Sequence, residues 1–181
     1  LEAFVSFAVF NDKYTSFTFP EIVNEPYELK IMNGFHPLLN EEIVIKNNFE
    51  TNRPNNIAII TGANMAGKST FLRTIGTNLV LAMNGAKVSA EKMSFYPMDL
   101  FTSIRTVDNL SSGDSYFKNE INKLKILVER LENNQPQIII LDEILKGTNS
   151  EDKLIGSQKF LEKLILSPTK LVGFIATHDL E

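Results

Sequence analysis

The sequence contains no cysteine, which excludes disulfide staples and thiolate metal sites alike. Its two histidines, His36 and His178, stand far apart in the chain, so a histidine-rich zinc site is not expected. No apolar run approaches the roughly 18 residues that span a bilayer. No secretory leader pattern is visible either, and the expected location is cytoplasmic. A surplus of positive charge is also missing: 18 Lys and Arg stand against 22 Asp and Glu, for a formal net charge of −4. Surfaces that grip nucleic-acid phosphates are usually basic, so this chain is not expected to be the main nucleic-acid-binding surface of its protein. The chain opens on Leu1 rather than Met and ends on Leu180-Glu181. It is therefore expected to be a piece of a longer protein, with the final dipeptide a cloning remnant.

What is present is an ordinary globular composition, 43% hydrophobic and 22% charged over 181 residues. That length suits one domain, or one domain with a small appended piece. Residues 1–10 read as the tail of a helix. Tyr27–Asn33 and Glu42–Lys46 read as strands, and polar Asn47–Asn56 as a loop. Ile57–Thr61 reads as a buried strand, Thr70–Met83 as a helix and Leu100–Arg105 as a strand. Phe117, Ile121, Leu124, Val128 and Leu131 recur at helical spacing over Ser115–Glu132. Ile138–Leu141 is a fully apolar strand, followed by an amphipathic helix over Ser150–Leu166 that carries Leu154, Leu161, Leu164 and Ile165. Leu171–Ala176 is a last strand. Strands alternating with helices predict an α/β fold with a mostly parallel sheet flanked by helices.

Gly62-Ala63-Asn64-Met65-Ala66-Gly67-Lys68-Ser69 is a complete phosphate-binding loop, set between the Ile57–Thr61 strand and a helix that opens at Thr70. The glycines let backbone N–H groups turn toward phosphates, and the helix N-terminus adds partial positive charge. Lys68 is expected to reach the β- and γ-phosphates of a nucleotide, and the Ser69 hydroxyl to sit on Mg²⁺. A P-loop NTPase follows. Downstream, Ile138-Ile139-Ile140-Leu141-Asp142-Glu143 buries a strand and delivers two carboxylates at its C-terminal end, where open α/β sheets bind ligands. Asp142 is expected to hold Mg²⁺, and Glu143 to polarise the attacking water as general base. Taken alone, the pair also reads as a buried strand ending in two solvated acids. The third element is Thr177-His178, where an imidazole is expected to hydrogen-bond the γ-phosphate or the attacking water; taken alone, it also reads as an incidental surface histidine. The fourth, Ser111 to Glu120, is a polar turn opening a helix. An anion site and a plain helix cap on Asp114 or Ser115 both fit it, and the physics of the residues favours the cap.

Taken together, Gly62–Thr70 with its internal Asn64-Met65, the Asp142-Glu143 pair followed by Gly147-Thr148, and Thr177-His178 resemble the MutS family of mismatch-repair ATPases. The resemblance covers most of residues 36–180. It implies an ATPase domain of the ATP-binding-cassette type over 36–181, with residues 1–35 as a lead-in helix and connector from a preceding domain. It also implies ATP and Mg²⁺ as ligands and a homodimer in which two ATPase faces meet. Ser115 would then complete the partner's site in trans, Asn64 would contact the γ-phosphate side, and His178 would sense it. ATP contacts fall on Gly62, Ala63, Asn64, Met65, Ala66, Gly67, Lys68, Ser69 and Thr70. The adenine would lie near Val44, where the family's aromatic is absent. DNA, a mismatched duplex in a repair protein, would be held by domains outside this chain. His36 reads as structural rather than catalytic.

Two departures stand out. After Asp142-Glu143 the family typically carries a Gly-Arg-Gly-Thr run where this chain has Ile144-Leu145-Lys146-Gly147-Thr148, and after Ser115 it carries Thr-Phe where this chain has Tyr116-Phe117. Both resemble a MutS-related branch whose members often lack mismatch-recognition domains. Two further readings stay open. A transporter- or chromosome-type cassette is disfavoured by Ser112-Gly113-Asp114-Ser115 in place of Leu-Ser-Gly-Gly. A nucleotide-gated binding module with negligible turnover finds no support in a chain that keeps Glu143.

Overall fold

The computed structural model describes residues 2–51, 53–54, 56–63, 66–104, 116–133, 135–145 and 150–177, with side chains omitted at 116, 117 and 150–152. In chain order the elements are α1 (Glu2–Lys13), β1 (Glu21–Ile22), β2 (Leu29–Gly34), β3 (Asn47–Thr51), β4 (Asn56–Ile60) and α2 (Lys68–Met83). Then come β5 (Lys92–Phe95), β6 (Asp99–Ser103), α3 (Tyr116–Glu132), β7 (Gln137–Asp142), α4 (Ser150–Ile165) and β8 (Leu171–Ala176). Two compact units divide the chain: Leu1–Arg53 with Thr70–Pro97, and Pro54–Ser69 with Met98–Glu181.

The first unit carries a sheet in the order β1-β5-β2-β3, with β2 antiparallel to both neighbours. Here two sequence expectations fail. Glu42–Lys46 is not a strand: Ile43 and Ile45 are exposed, and the chain turns there through Val44 N–H donating to Asn40 O (3.1 Å). Asn47–Thr51, expected as loop, is β3, because its backbone pairs with β2 from Leu29↔Thr51 to Gly34↔Asn47. Strand identity at such polar edges comes from the pairing partner rather than from residue propensity. A buried polar knot closes this unit. Asn78 Nδ2 donates to Phe35 O (3.1 Å), while Ser89 N–H donates to Asn78 Oδ1 (2.8 Å).

The second unit holds the expected parallel sheet, in the order β4-β8-β7-β6. Ile138, Ile139, Ile140 and Leu141 are fully buried, as are Val172 and Phe174, which is why these strands read as continuous apolar runs rather than alternating ones. Crossover helices α3 and α4 pack against one set of these residues. Leu124, Leu127 and Leu131 from α3, and Leu164 from α4, join Phe101, Ile139, Leu141 and Ile175 in one cluster.

The inward faces of both helices differ in phase from the sequence expectation. On α3 the buried positions are Glu120, Leu124, Leu127 and Leu131, while Ile121 is 41% exposed; a carboxylate takes the place expected of an isoleucine. On α4 the partly or fully buried stripe runs Lys153, Gly156, Phe160, Leu161 and Leu164, leaving Leu154 and Ile165 exposed. Gly156 allows close approach: a Cβ there would sit 2.6 Å from Leu145 Cδ1.

Candidate active site

The arrangement begins with strand register. Ile60 of β4 pairs with Ala176 of β8, and Ala176 with Asp142 of β7. The C-terminal ends of the three strands are therefore level, with β8 in the middle. Two backbone bonds extend the ladder past the strands: Thr177 N–H donates to Ile60 O (3.1 Å) and Glu143 N–H to Ala176 O (3.0 Å). At about 4.8 Å per strand, the segments that leave β4 and β7 start about 10 Å apart. That spacing suits a polyphosphate lying across the edge with a water beside it, and open parallel sheets bind ligands at this edge.

The loop after β4 is built on its glycines. Gly62 and Gly67 adopt φ of 145° and 91°, a region that residues with a Cβ rarely enter. A Cβ on Gly67 would meet nothing within 4 Å, so the need for glycine there is conformational, not steric. Ala66 N–H donates to Ala63 O (3.2 Å) across the loop. Lys68 is the first residue of α2 and only 9% exposed. Its ammonium donates to Gly62 O (2.6 Å) and Ala63 O (2.9 Å), so the loop's own carbonyls satisfy a buried charge. Ser69 follows, half-buried in the first helical turn. Backbone N–H groups at such a turn form an anion cradle.

Asp142 ends β7 half-buried, and Glu143 turns away from the strand with φ of 60°. For a residue with a Cβ that left-handed conformation costs about 1–2 kcal/mol, and strain of this kind gathers at functional sites. Glu143 Oε1 lies 3.8 Å from Lys153 Nζ, with both side chains more than four-fifths buried. Two residues on, Leu145 also has a positive φ, 59°. The Leu145 N–H donates to Glu120 Oε1 of α3 (2.7 Å).

The second unit thus brings together Gly62, Ala63, Ala66, Gly67, Lys68, Ser69, Asp142 and Glu143. Thr70 continues α2 and is grouped with the first unit, as is Val44 in its half-buried turn. Asn64, Met65, Ser115, Gly147, Thr148 and His178 lie outside the described residues; Thr177, next to His178, leaves the middle strand of the row. His36 belongs to the first unit, and its Nδ1 accepts from Leu38 N–H (3.3 Å). Burial first, and then the charge of Arg73, hold the His36 pKa below its ordinary value. Sequence reasoning missed Lys153 and assigned no role to Glu120. A charged residue falling on the apolar stripe of an amphipathic helix was the signal available for both.

Among the described residues, no helix is long and apolar enough to cross a membrane. Residues 58–181 match the family model described as MutS domain V. The chain is 34% identical over 167 residues to the DNA mismatch repair protein MutS of Lysinibacillus sphaericus, covering 90% of this chain and 19% of that protein. It is 36% identical over 157 residues to the human MutS protein homolog 4, covering 84% of this chain and 16% of that protein. The MutS of Persephonella marina is 34% identical over 160 residues, covering 86% of this chain and 18% of its own length. The chain thus spans less than a fifth of each of these relatives. With the family model matching well over half of it, this chain belongs to the MutS domain V family.

Proposed function

We propose that this chain is the ATPase domain of a MutS-like DNA mismatch-repair protein. It binds and hydrolyses Mg-ATP in a composite site formed by two copies, and so moves attached DNA-binding domains. The observation that carries the reading is the level row Ile60–Ala176–Asp142, which starts the phosphate loop, the Thr177-His178 segment and the carboxylate pair from one sheet edge.

The donor set fits a magnesium ion. Ser69 offers a hydroxyl and Asp142 a carboxylate, both half-buried, and no cluster of three or more His, Asp and Glu occurs among the described residues. Magnesium prefers one or two carboxylates together with water and phosphate oxygens over a closed protein cage. When bound, it neutralises charge on the β- and γ-phosphate oxygens.

The chain's own groups do the rest. Backbone N–H groups of the loop and the first turn of α2 hold the phosphates. Lys68 exchanges the Gly62 and Ala63 carbonyls for phosphate oxygens. Glu143 orients a water in line with the β–γ bond and accepts its proton. At rest the Glu143 carboxylate lies 3.8 Å from the Lys153 ammonium, and a bound water takes over the carboxylate as the site fills. In this reading Asn64 and His178 face the γ-phosphate, Val44 offers apolar contact to the adenine, and Ser115 acts on the partner's nucleotide.

A second reading keeps the ATPase and removes mismatch repair, and the run Ile144-Leu145-Lys146-Gly147-Thr148 after Glu143 favours it. The experiment that separates the two is binding of the full-length protein to heteroduplex and matched DNA at fixed salt, with and without Mg-ATP. Salt must be held constant because phosphate contacts alone change affinity by orders of magnitude. A heteroduplex preference that ATP releases supports a repair sensor. Equal binding with intact ATP turnover supports the MutS-related reading, and no Mg-dependent turnover rejects both.

A further inference from the structure

Helix α3 places a glutamate at its fifth residue, where the helix faces the apolar cluster. Glu120 is 7% exposed. Its Oε1 accepts the Leu145 N–H at 2.7 Å, and its Oε2 is buried with no hydrogen-bond partner among the described residues. Half-satisfied buried carboxylates are uncommon and call for a reason. The reason lies in what the bonded oxygen holds. Residues 143–145 leave β7 with left-handed φ angles at Glu143 and Leu145, conformations that side-chain-bearing residues keep only when the surroundings over-determine them. Besides the Glu143–Lys153 pair, three contacts among the described residues do so here. Glu143 N–H is tied to Ala176 O, Leu145 N–H is tied to Glu120, and the Leu145 side chain is packed where α4 carries Gly156. Of the three, only Glu120 is a side chain reaching across from a separate helix to the backbone of this segment.

We propose that Glu120 is a positioning residue for Glu143: its buried carboxylate clamps the Leu145 N–H and so fixes the direction in which Glu143 leaves strand β7. The proposal rests on the reading of Glu143 as general base. Loss of the clamp lets the 143–145 segment relax toward ordinary φ values and swings the base away from the water, while the phosphate loop on β4 is untouched. A misplacement of about 1 Å at a reacting group costs on the order of 100-fold in rate.

The test uses the full-length protein and five variants: Glu120→Ala, Glu120→Asp, Glu120→Gln, Glu143→Gln and the double variant Glu120→Ala with Glu143→Gln. Single-turnover hydrolysis and binding of a fluorescent ATP analogue are measured for each. Alanine and the shorter aspartate are expected to lower the hydrolysis rate about 100-fold with nucleotide affinity unchanged. Glutamine, whose Oε1 still accepts the Leu145 N–H, is expected to stay close to wild type. Adding Glu120→Ala to Glu143→Gln is expected to cause no further loss, because the clamp acts through the base. A purely structural role would weaken nucleotide binding and add its loss in both backgrounds, which overturns the proposal. Wild-type rates in Glu120→Asp also overturn it and leave the ATPase reading standing. Wild-type rates in Glu143→Gln remove the base and the proposal together. If Glu120→Ala does not fold, Glu120→Gln decides: an inactive but nucleotide-binding glutamine variant contradicts the clamp.

Discussion

Replacing Lys68 by methionine keeps the apolar stem of the side chain and removes only the ammonium. Without nucleotide, the variant loses two hydrogen bonds, to Gly62 O at 2.6 Å and Ala63 O at 2.9 Å. Both glycine and alanine are exposed, so water takes up the released carbonyls and the stability cost should be only about 1 kcal/mol. With ATP the balance changes. Two charge-assisted bonds to phosphate are worth about 3–6 kcal/mol together. Wild type gives up its two carbonyl bonds, at about 1 kcal/mol, to make them, which leaves about 2–5 kcal/mol of binding energy. That corresponds to about 30- to 4000-fold weaker affinity in Lys68→Met. The assay is a titration with a fluorescent ATP analogue, paired with thermal unfolding with and without Mg-ATP. At a nucleotide concentration about 100-fold above the wild-type Kd, ligand stabilisation should fall from about 2.7 kcal/mol to about 0.4 kcal/mol for a 100-fold weaker variant. Unchanged affinity in a folded Lys68→Met protein would refute the assignment of the ammonium to the phosphates.

Other outcomes follow from the same structure. Ile139→Ala empties a fully buried position in the cluster shared by α3 and α4, and should cost about 2–5 kcal/mol in urea unfolding. At Leu145, which has φ of 59° and is 6% exposed, both glycine and alanine lose the buried side chain, but only glycine escapes the left-handed penalty of about 1–2 kcal/mol. Leu145→Gly should therefore be at least as stable as Leu145→Ala, reversing the usual order; the opposite ranking would mean that φ is not left-handed in solution. His36 contributes to pH dependence with a defined sign. Its folded pKa is depressed from 6.5 by burial and by Arg73, so the unfolded chain binds the extra proton first. Stability from this group is complete above about 6.5 and declines as pH falls through the folded value. The slope should vanish in His36→Gln, as read from chemical denaturation at several pH values.

Much of the second unit was legible before any coordinates. β7 and β8 are runs of apolar residues buried on both faces, and such runs announce themselves. The loop at 62–69 carries its chemistry in residue identity, since glycine at φ of 91° and a lysine at the head of a helix need no tertiary information to be recognised. The first unit was less legible for a matching reason. β3 is the polar run Asn47–Thr51, which is a strand only because β2 lies beside it. Ile43 and Ile45, apolar and alternating, look like a strand yet stand in solvent. The helices show the same limit in phase. Hydrophobic spacing found α3 and α4 but not the rotation that turns Glu120 and Lys153 inward, because each is held by a partner distant in sequence, Leu145 and Glu143. Both charged residues thus sit where periodicity expects carbon.

The account turns on Glu143 as the base that handles the attacking water. The most direct measurement is single-turnover hydrolysis of Mg-ATP by full-length wild type and Glu143→Gln, with nucleotide binding measured alongside. Removal of a general base typically costs about 10²- to 10⁴-fold, so the variant is predicted to bind ATP as wild type does and to stall by that factor. Equal hydrolysis by the two proteins would contradict the account.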